Sequence, residues 1–485
     1  MWRALTLLLA LALAAGTAAA REALPANVLK VLQAAGVPPD AMAAVALPLA
    51  HRAPPWQWRA SVPMQPGSSM KLLTAIVALD RLGVAHRGST ELRSAAPLVD
   101  GVLQGDLVLQ GGADADLGVP QLWALLGELR QQGVTEIAGD LVVDRTLFRP
   151  ERIDLGLPPF DESPEADYNV IPDALMLAGN LLPLWLHSEG GVVSARSTPA
   201  LDGLEIVSRM TVNARPCRDW DEDWQPPQVV HEGGATRIVL QGAFPADCTQ
   251  RPALQLVDRD ELAERLFHTL WQGLGGRWRG QLRAAAAPMG TRLLAQHQAR
   301  PWGELLRPVL KTSDNALTRL LYLSLGVPGM ADDPQATTTE LAERAVRGWL
   351  AEHHIDDRGL VLDNGCGLSR SERITPWQMV RLLQVAWKGP LAADLLASLP
   401  LAGVDGTMRR RLKDSPAAGW ARLKTGTLKN VVALAGVVRD ERGRPWAVAM
   451  MINHDDAAKA RPALDALVDS FARHGPWGVP RRGQR

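Results

Sequence analysis

The stretch "QPGSSMKLLTAIVALDRLG", Gln65 to Gly83, sets a lysine one turn into an otherwise apolar helix. Met70, Leu73, Ile76, Val77 and Leu79 recur at helical spacing, and Gly83 is a fitting stop. With a helix starting at Ser68, Ser68 and Lys71 lie three apart and share a face. The cation is a choice. Against 52 Lys plus Arg, lysine occupies only positions 30, 71, 311, 388, 413, 424, 429 and 459. Apolar neighbours that strip water from an amine disfavour its charged form. A neutral amine can then take a proton from a serine, which a guanidinium cannot. Taken alone, the pattern equally describes a helix-start serine followed by a lysine that reaches for solvent.

Two further stretches change that balance. "KTSDNALTRLL" places Ser313, Asp314 and Asn315 before a helix, where capping alone would account for them. "RLKTGTLKN" places Lys424, Thr425, Gly426 and Thr427 at the end of a strand, where a solvated edge with a glycine break would do. Together and in this order, SxxK, SDN and KTG are the signature set of penicillin-binding proteins and class A β-lactamases.

Around these motifs the chain alternates in character. An amphipathic segment at Leu24 to Ala35 precedes strand-like Met42 to Leu49 and Trp56 to Ala60. From about Thr90 to Ala285, short β-branched runs broken by Gly-Asp and Gly-Gly, as in "GDLVLQGGADADLG" and "GDLVVDRTLF", read as mostly β. Helical patterns return at Trp302 to Leu310, Ala316 to Leu325 and Thr338 to His353. Strands follow at Ala421 to Thr427, Asn430 to Arg439 and Pro445 to Ile452, then a helix within Asp455 to Arg473. The expectation is an α+β protein, an antiparallel sheet flanked by helices and carrying a large, mostly β insert. Its segments are 21–90 with 285–485, then 91–165 with 250–284, and 166–249.

Residues 1–20, "MWRALTLLLALALAAGTAAA", read as a cleaved secretory signal with an A-x-A site after a run too short to span a bilayer. Acidic and basic side chains balance at 52 each, without a basic run dense enough for a nucleic-acid surface. Small molecules or a polymer are the expected partners. The three cysteines give one pair and one leftover in an oxidising compartment. Cys217 and Cys248, close together in the β-rich block, are the expected disulfide. No metal or other cofactor is expected. The ten histidines include no HExxH, His353 and His354 read as surface, and "LQGGADADLG" lacks the Walker Lys-Ser/Thr pair.

The likeness extends beyond three motifs. "GDLVLQGGADADL", "GDLVVDRTLF", "YNVIPDALMLAGN", "DNGCGLSR" and "INHDDAAKARPALDALV" resemble blocks of the class C low-molecular-mass penicillin-binding proteins. These are the D-alanyl-D-alanine carboxypeptidase/endopeptidase family, peptidase S13. The roughly 240 residues between Lys71 and Ser313 resemble that family's large insert.

The resemblance implies a penicillin-binding/β-lactamase-like fold and hydrolysis of peptidoglycan stem peptides, inhibited by β-lactam antibiotics. Ser68 would be the nucleophile and Lys71 its base, with Ser313 passing a proton to the leaving amine and Asn315 holding Lys71. Lys424, staying charged, would bind the terminal carboxylate with Thr425 and Thr427, and Gly426 would let the substrate backbone approach. Asp144, Phe148 and Arg370 would grip a third-position diamino acid. The chain departs from the family pattern at Cys366, where a serine is usual, and at Lys429.

Other readings stay open. A β-lactamase shares the site logic but normally lacks the insert, and a non-catalytic peptidoglycan-binding scaffold would not need the intact motifs. A thiol hydrolase at Cys366 requires a histidine that the sequence does not place.

Overall fold

The computed structural model describes residues 23–475, so the expected signal segment lies outside the described residues. The described residues form two compact units, one of residues 23–86, 302–329 and 339–475, the other of 87–301 and 330–338.

The first unit is built on a five-stranded antiparallel sheet. Its order is Trp56–Trp58, Met42–Pro48, Pro445–Asn453, Val431–Arg439 and Arg422–Leu428. Sequences such as "VVALAGVV" and "WAVAMMI" are apolar at successive positions because both faces of these central strands are covered. Ala457–His474 and Ala26–Ala34 share one buried cluster with the sheet, and Pro376–Lys388 packs on Met42–Pro48 and Pro445–Asn453. Pro376–Lys388 is a helix that sequence reasoning left unassigned, although Thr375 and Gln378 form a reciprocal capping box at its start. The Lys71–Leu82 helix is buried at every position from Lys71 to Leu79. Being surrounded by protein explains its apolar composition, and it also denies water to Lys71.

The inserted unit carries the expected short strands. It also has two helices not foreseen, Val119–Gln131 and Arg259–Gly273, the second capped by the Asp258 side chain. This unit runs from Arg87 to Pro301, beyond the 91 and 284 read from sequence. The reason is pairing: Arg292–Gln298 lies antiparallel to Ser89–Ser94. One apolar cluster includes Leu92, Leu109 and Leu141 together with Leu184, Leu240 and Phe244, so a single core runs through both proposed inserted segments. Cys217 and Cys248 are joined by a disulfide here. No helix among the described residues is long and apolar enough to cross a membrane.

Candidate active site

Ser68 does not open the α-helix as expected. It stands in a 3-10 turn, Gly67–Met70, from which the helix proper starts at Lys71. Side-chain hydrogen bonds to main chain hold the segment that leads into that turn. Asn453 at the end of a central strand bonds both the N–H and the C=O of Gln65, at 2.7 and 3.0 Å. The Gln65 amide reaches the Ser369 carbonyl at 2.6 Å.

Lys71 is wholly buried. Its Nζ lies 3.0 Å from Ser68 Oγ, 2.6 Å from Asn315 Oδ1 and 2.5 Å from the Cys366 carbonyl oxygen. The last two atoms can only accept. A neutral amine spends its two N–H bonds on them and turns its lone pair to the serine hydroxyl. Burial pushes the Lys71 amine below its ordinary value, the direction a base requires.

The S-D-N stretch divides its labour by side chain. Asp314 caps the Asn315–Ser324 helix by accepting from the Leu317 amide at 2.8 Å. Ser313 on one side of it reaches Lys424, and Asn315 on the other reaches Lys71. Ser313 adopts a left-handed backbone, φ 69°, a conformation that costs a serine on the order of 1 kcal/mol. Such strain outside glycine is characteristic of functional sites.

Lys424 is equally buried, with Nζ 2.8 Å from Ser313 Oγ and 2.9 Å from the Thr425 carbonyl. Burial, and then the nearby Lys71, push it well below the usual lysine range. A carboxylate entering the pocket would supply the missing counter-charge.

Gly426 also plays a part other than the one expected. A Cβ there would stand 2.2 Å from the Pro66 carbonyl oxygen, so this glycine lets the strand approach the protein's own nucleophile turn. A Cβ on Gly367 would likewise meet the Gly67 carbonyl oxygen at 1.9 Å, and Gly367 itself has φ 88°. The Thr425 hydroxyl bonds Thr407 Oγ1 at 2.9 Å, a neighbour for which the sequence offered no signal. Thr427 is exposed at the end of the same strand.

Cys366 is buried, and its sulfur faces Arg319 Nε at 3.4 Å and the Leu368 amide at 3.5 Å. No histidine is among these partners. The thiol-hydrolase reading therefore lacks its base, and the contribution of Cys366 is the carbonyl it turns to Lys71. Asp144 and Phe148 lie in the inserted unit and are buried there. Both Asp144 oxygens are engaged, Oδ1 by Thr146 and Oδ2 by Gln110 and the Ala287 amide. Arg370 is exposed.

A serine and a buried amine in contact, and a second buried lysine on an edge strand bonded to the Ser313 hydroxyl, are groups that acyl transfer can use. The D-Ala-D-Ala carboxypeptidase 3 (S13) family profile matches residues 24–473. The chain belongs to this family.

It is therefore a serine-type hydrolase by class. Over 441 residues it is 31% identical to the D-alanyl-D-alanine carboxypeptidase of Actinomadura sp. (strain R39), covering 86% of this chain and 78% of the relative. The crystal structure of penicillin binding protein 4 (dacB) from Haemophilus influenzae superposes with a TM-score of 0.74 at 25% identity, covering 92% of this chain and all of that one. The same Haemophilus protein complexed with a novel β-lactam matches at 0.70 over 92% of this chain. The α+β expectation agrees with these matches.

Proposed function

We propose that the protein hydrolyses D-Ala-D-Ala-type bonds of peptidoglycan stem peptides, as a carboxypeptidase, an endopeptidase or both, through an acyl-enzyme on Ser68. One observation carries the reading: a fully buried Lys71 amine 3.0 Å from Ser68 Oγ whose two other contacts are obligate acceptors.

Lys71 takes the hydroxyl proton as Ser68 Oγ attacks the penultimate carbonyl. The oxyanion is met by the backbone N–H groups of Ser68 and Thr427, each worth roughly 3 kcal/mol in such sites. Ser313, hydrogen-bonded to Lys424, relays a proton to the departing amine, and Lys424 receives the carboxylate of the leaving residue. Water then hydrolyses the acyl-serine. β-Lactams present an amide and a carboxylate to the same groups, which agrees with the β-lactam complex of the Haemophilus relative.

Exposed Arg370 is the candidate for a carboxylate on the third stem residue, where a guanidinium can bind it through two hydrogen bonds. Residues 1–20 would direct export to the periplasm and be cleaved after Ala20, which N-terminal sequencing of the mature protein checks.

The deciding experiment is digestion and mass spectrometry after exposure to a labelled penicillin. An adduct on Ser68 is expected. An adduct on Cys366, or none on folded protein, would overturn the reading. Muropeptide analysis of digested peptidoglycan then separates carboxypeptidase from endopeptidase products.

A further inference from the structure

Beside the Lys71 pocket lies an acidic side chain that the mechanism has not used. Glu372 is completely buried. Its Oε1 accepts three consecutive backbone N–H groups, from Asp363 at 3.3 Å, Asn364 at 3.1 Å and Gly365 at 2.7 Å. The next residue, Cys366, turns its carbonyl to Lys71 Nζ. The chain is tied a second time at this point, because Thr74 Oγ1, one turn beyond Lys71 on the same helix, donates to the Gly365 carbonyl at 2.6 Å. Glu372 Oε2, by contrast, is buried without a hydrogen-bond partner among the described residues. It can take up a proton without displacing a donor.

We propose that Glu372 is a positioning residue for Lys71, clamping the 363–365 backbone so that the Cys366 carbonyl meets the amine, and that its ionisation governs how readily Lys71 accepts the serine proton. This rests on the reading of Lys71 as base.

Charge bookkeeping favours the assignment. Lys71, Lys424 and Arg319 are all buried around the pocket, and Glu372 is the buried carboxylate that acts on Lys71. The other ionisable groups near the pair are the Cys366 thiol, which acts on Lys71 and Lys424, Asp363 on the same loop, Asp314, Tyr322 and Arg319 at the Asn315–Ser324 helix, and Lys424 on the edge strand. Glu343 and Arg347 of the Thr338–Glu352 helix act on Tyr322. Burial lifts the Glu372 carboxyl to about 7, so it changes charge in the range where the enzyme would work. An ionised Glu372 favours the protonated form of Lys71. Removing its charge should release the lysine proton at lower pH.

The test is the rate constant for penicillin acylation, measured from pH 5 to 9, for the parent, Glu372→Gln and Glu372→Ala. For Glu372→Gln, which keeps an accepting oxygen, the acid limb should move down by about one pH unit, with a plateau within about threefold of the parent. Glu372→Ala loses the clamp as well, and its plateau should fall by about a hundredfold. An acid limb unmoved in Glu372→Gln overturns the proposal. If neither variant folds, Glu372→Asp decides: its plateau should fall with the limb in place, and a parental plateau refutes the clamp. In every case the adduct is mapped. Acylation away from Ser68 defeats the reading of the site itself, whereas Ser68 acylation with an unmoved limb defeats only the role of Glu372.

Discussion

The two units bury charge in opposite ways. In the inserted unit Arg259 hydrogen-bonds Asp173 at 2.8 Å and approaches Asp154 at 3.2 Å, while Arg145 approaches Asp173 and Asp260 at 2.8 and 2.7 Å. Every buried guanidinium there faces a carboxylate. In the peptidase unit the partners of Lys71 and Lys424 are hydroxyl, amide and carbonyl oxygens. No carboxylate touches either lysine among the described residues. The choice of residue follows from the difference. Arginine cannot shed its proton and suits a balanced network, whereas lysine left unbalanced is driven toward a usable lone pair.

The sharpest way to break this contrast is Lys71→Arg. Keeping a cation while removing the base should slow penicillin acylation by about a thousandfold with the melting temperature little changed. Retention of more than about a tenth of the parental rate, a barrier change under about 1.4 kcal/mol, would remove Lys71 from the base role.

The second experiment attacks the balanced network. Asp173→Ala removes the carboxylate shared by Arg145 and Arg259, and denaturant unfolding should show a loss of about 3 kcal/mol, while Ser68 in the remaining folded protein still acylates. An undiminished stability would mean that the arginines find solvent or other partners.

The smallest effect tests lysine charge through stability. Burial depresses the native Lys71 value, so below the unfolded value of about 10.4 the unfolded chain binds more protons than the native one. Unfolding free energy contributed by this group therefore rises with pH across that window. Lys71→Met removes the penalty and should be more stable than the parent by on the order of 1 kcal/mol at pH 7, the gap closing toward pH of about 10.4. Thermal unfolding at several pH values measures it, and a pH-independent gap contradicts a neutral Lys71. A further variant, Arg370→Ala, should lower kcat/KM about tenfold on diaminopimelate-containing peptides and leave penicillin acylation unchanged. Equal losses on both would make its role structural.

The sequence reading reached the parts of the site that are short and local. Ser68 with Lys71, Ser313 with Asn315, and Lys424 each lie within a few residues of one another, and only their convergence needed the fold. It also reached the central strands, whose apolar runs mark burial. Glu372 escaped because a glutamate in a polar loop carries no mark of burial, and Thr407 because its partner is 18 residues away. In the insert, Leu122, Leu125, Leu126 and Leu129 do hold helical spacing, but short β-branched runs on either side masked it. Placing Ser68 in the α-helix rather than in the turn before it is the one-turn error expected at helix ends.

The close packing of Gly426 and Gly367 on the nucleophile turn bears on how such an enzyme can change under antibiotic selection. At both glycines main chain presses on the main chain of the turn, so the position of Ser68 depends on these two close approaches. Substitution at either glycine would drive a Cβ into a carbonyl oxygen and displace the serine for substrate and drug alike. Variants that tell the two apart must therefore arise at the rim of the cleft or in the charges around Lys71, where the geometry of attack is left intact.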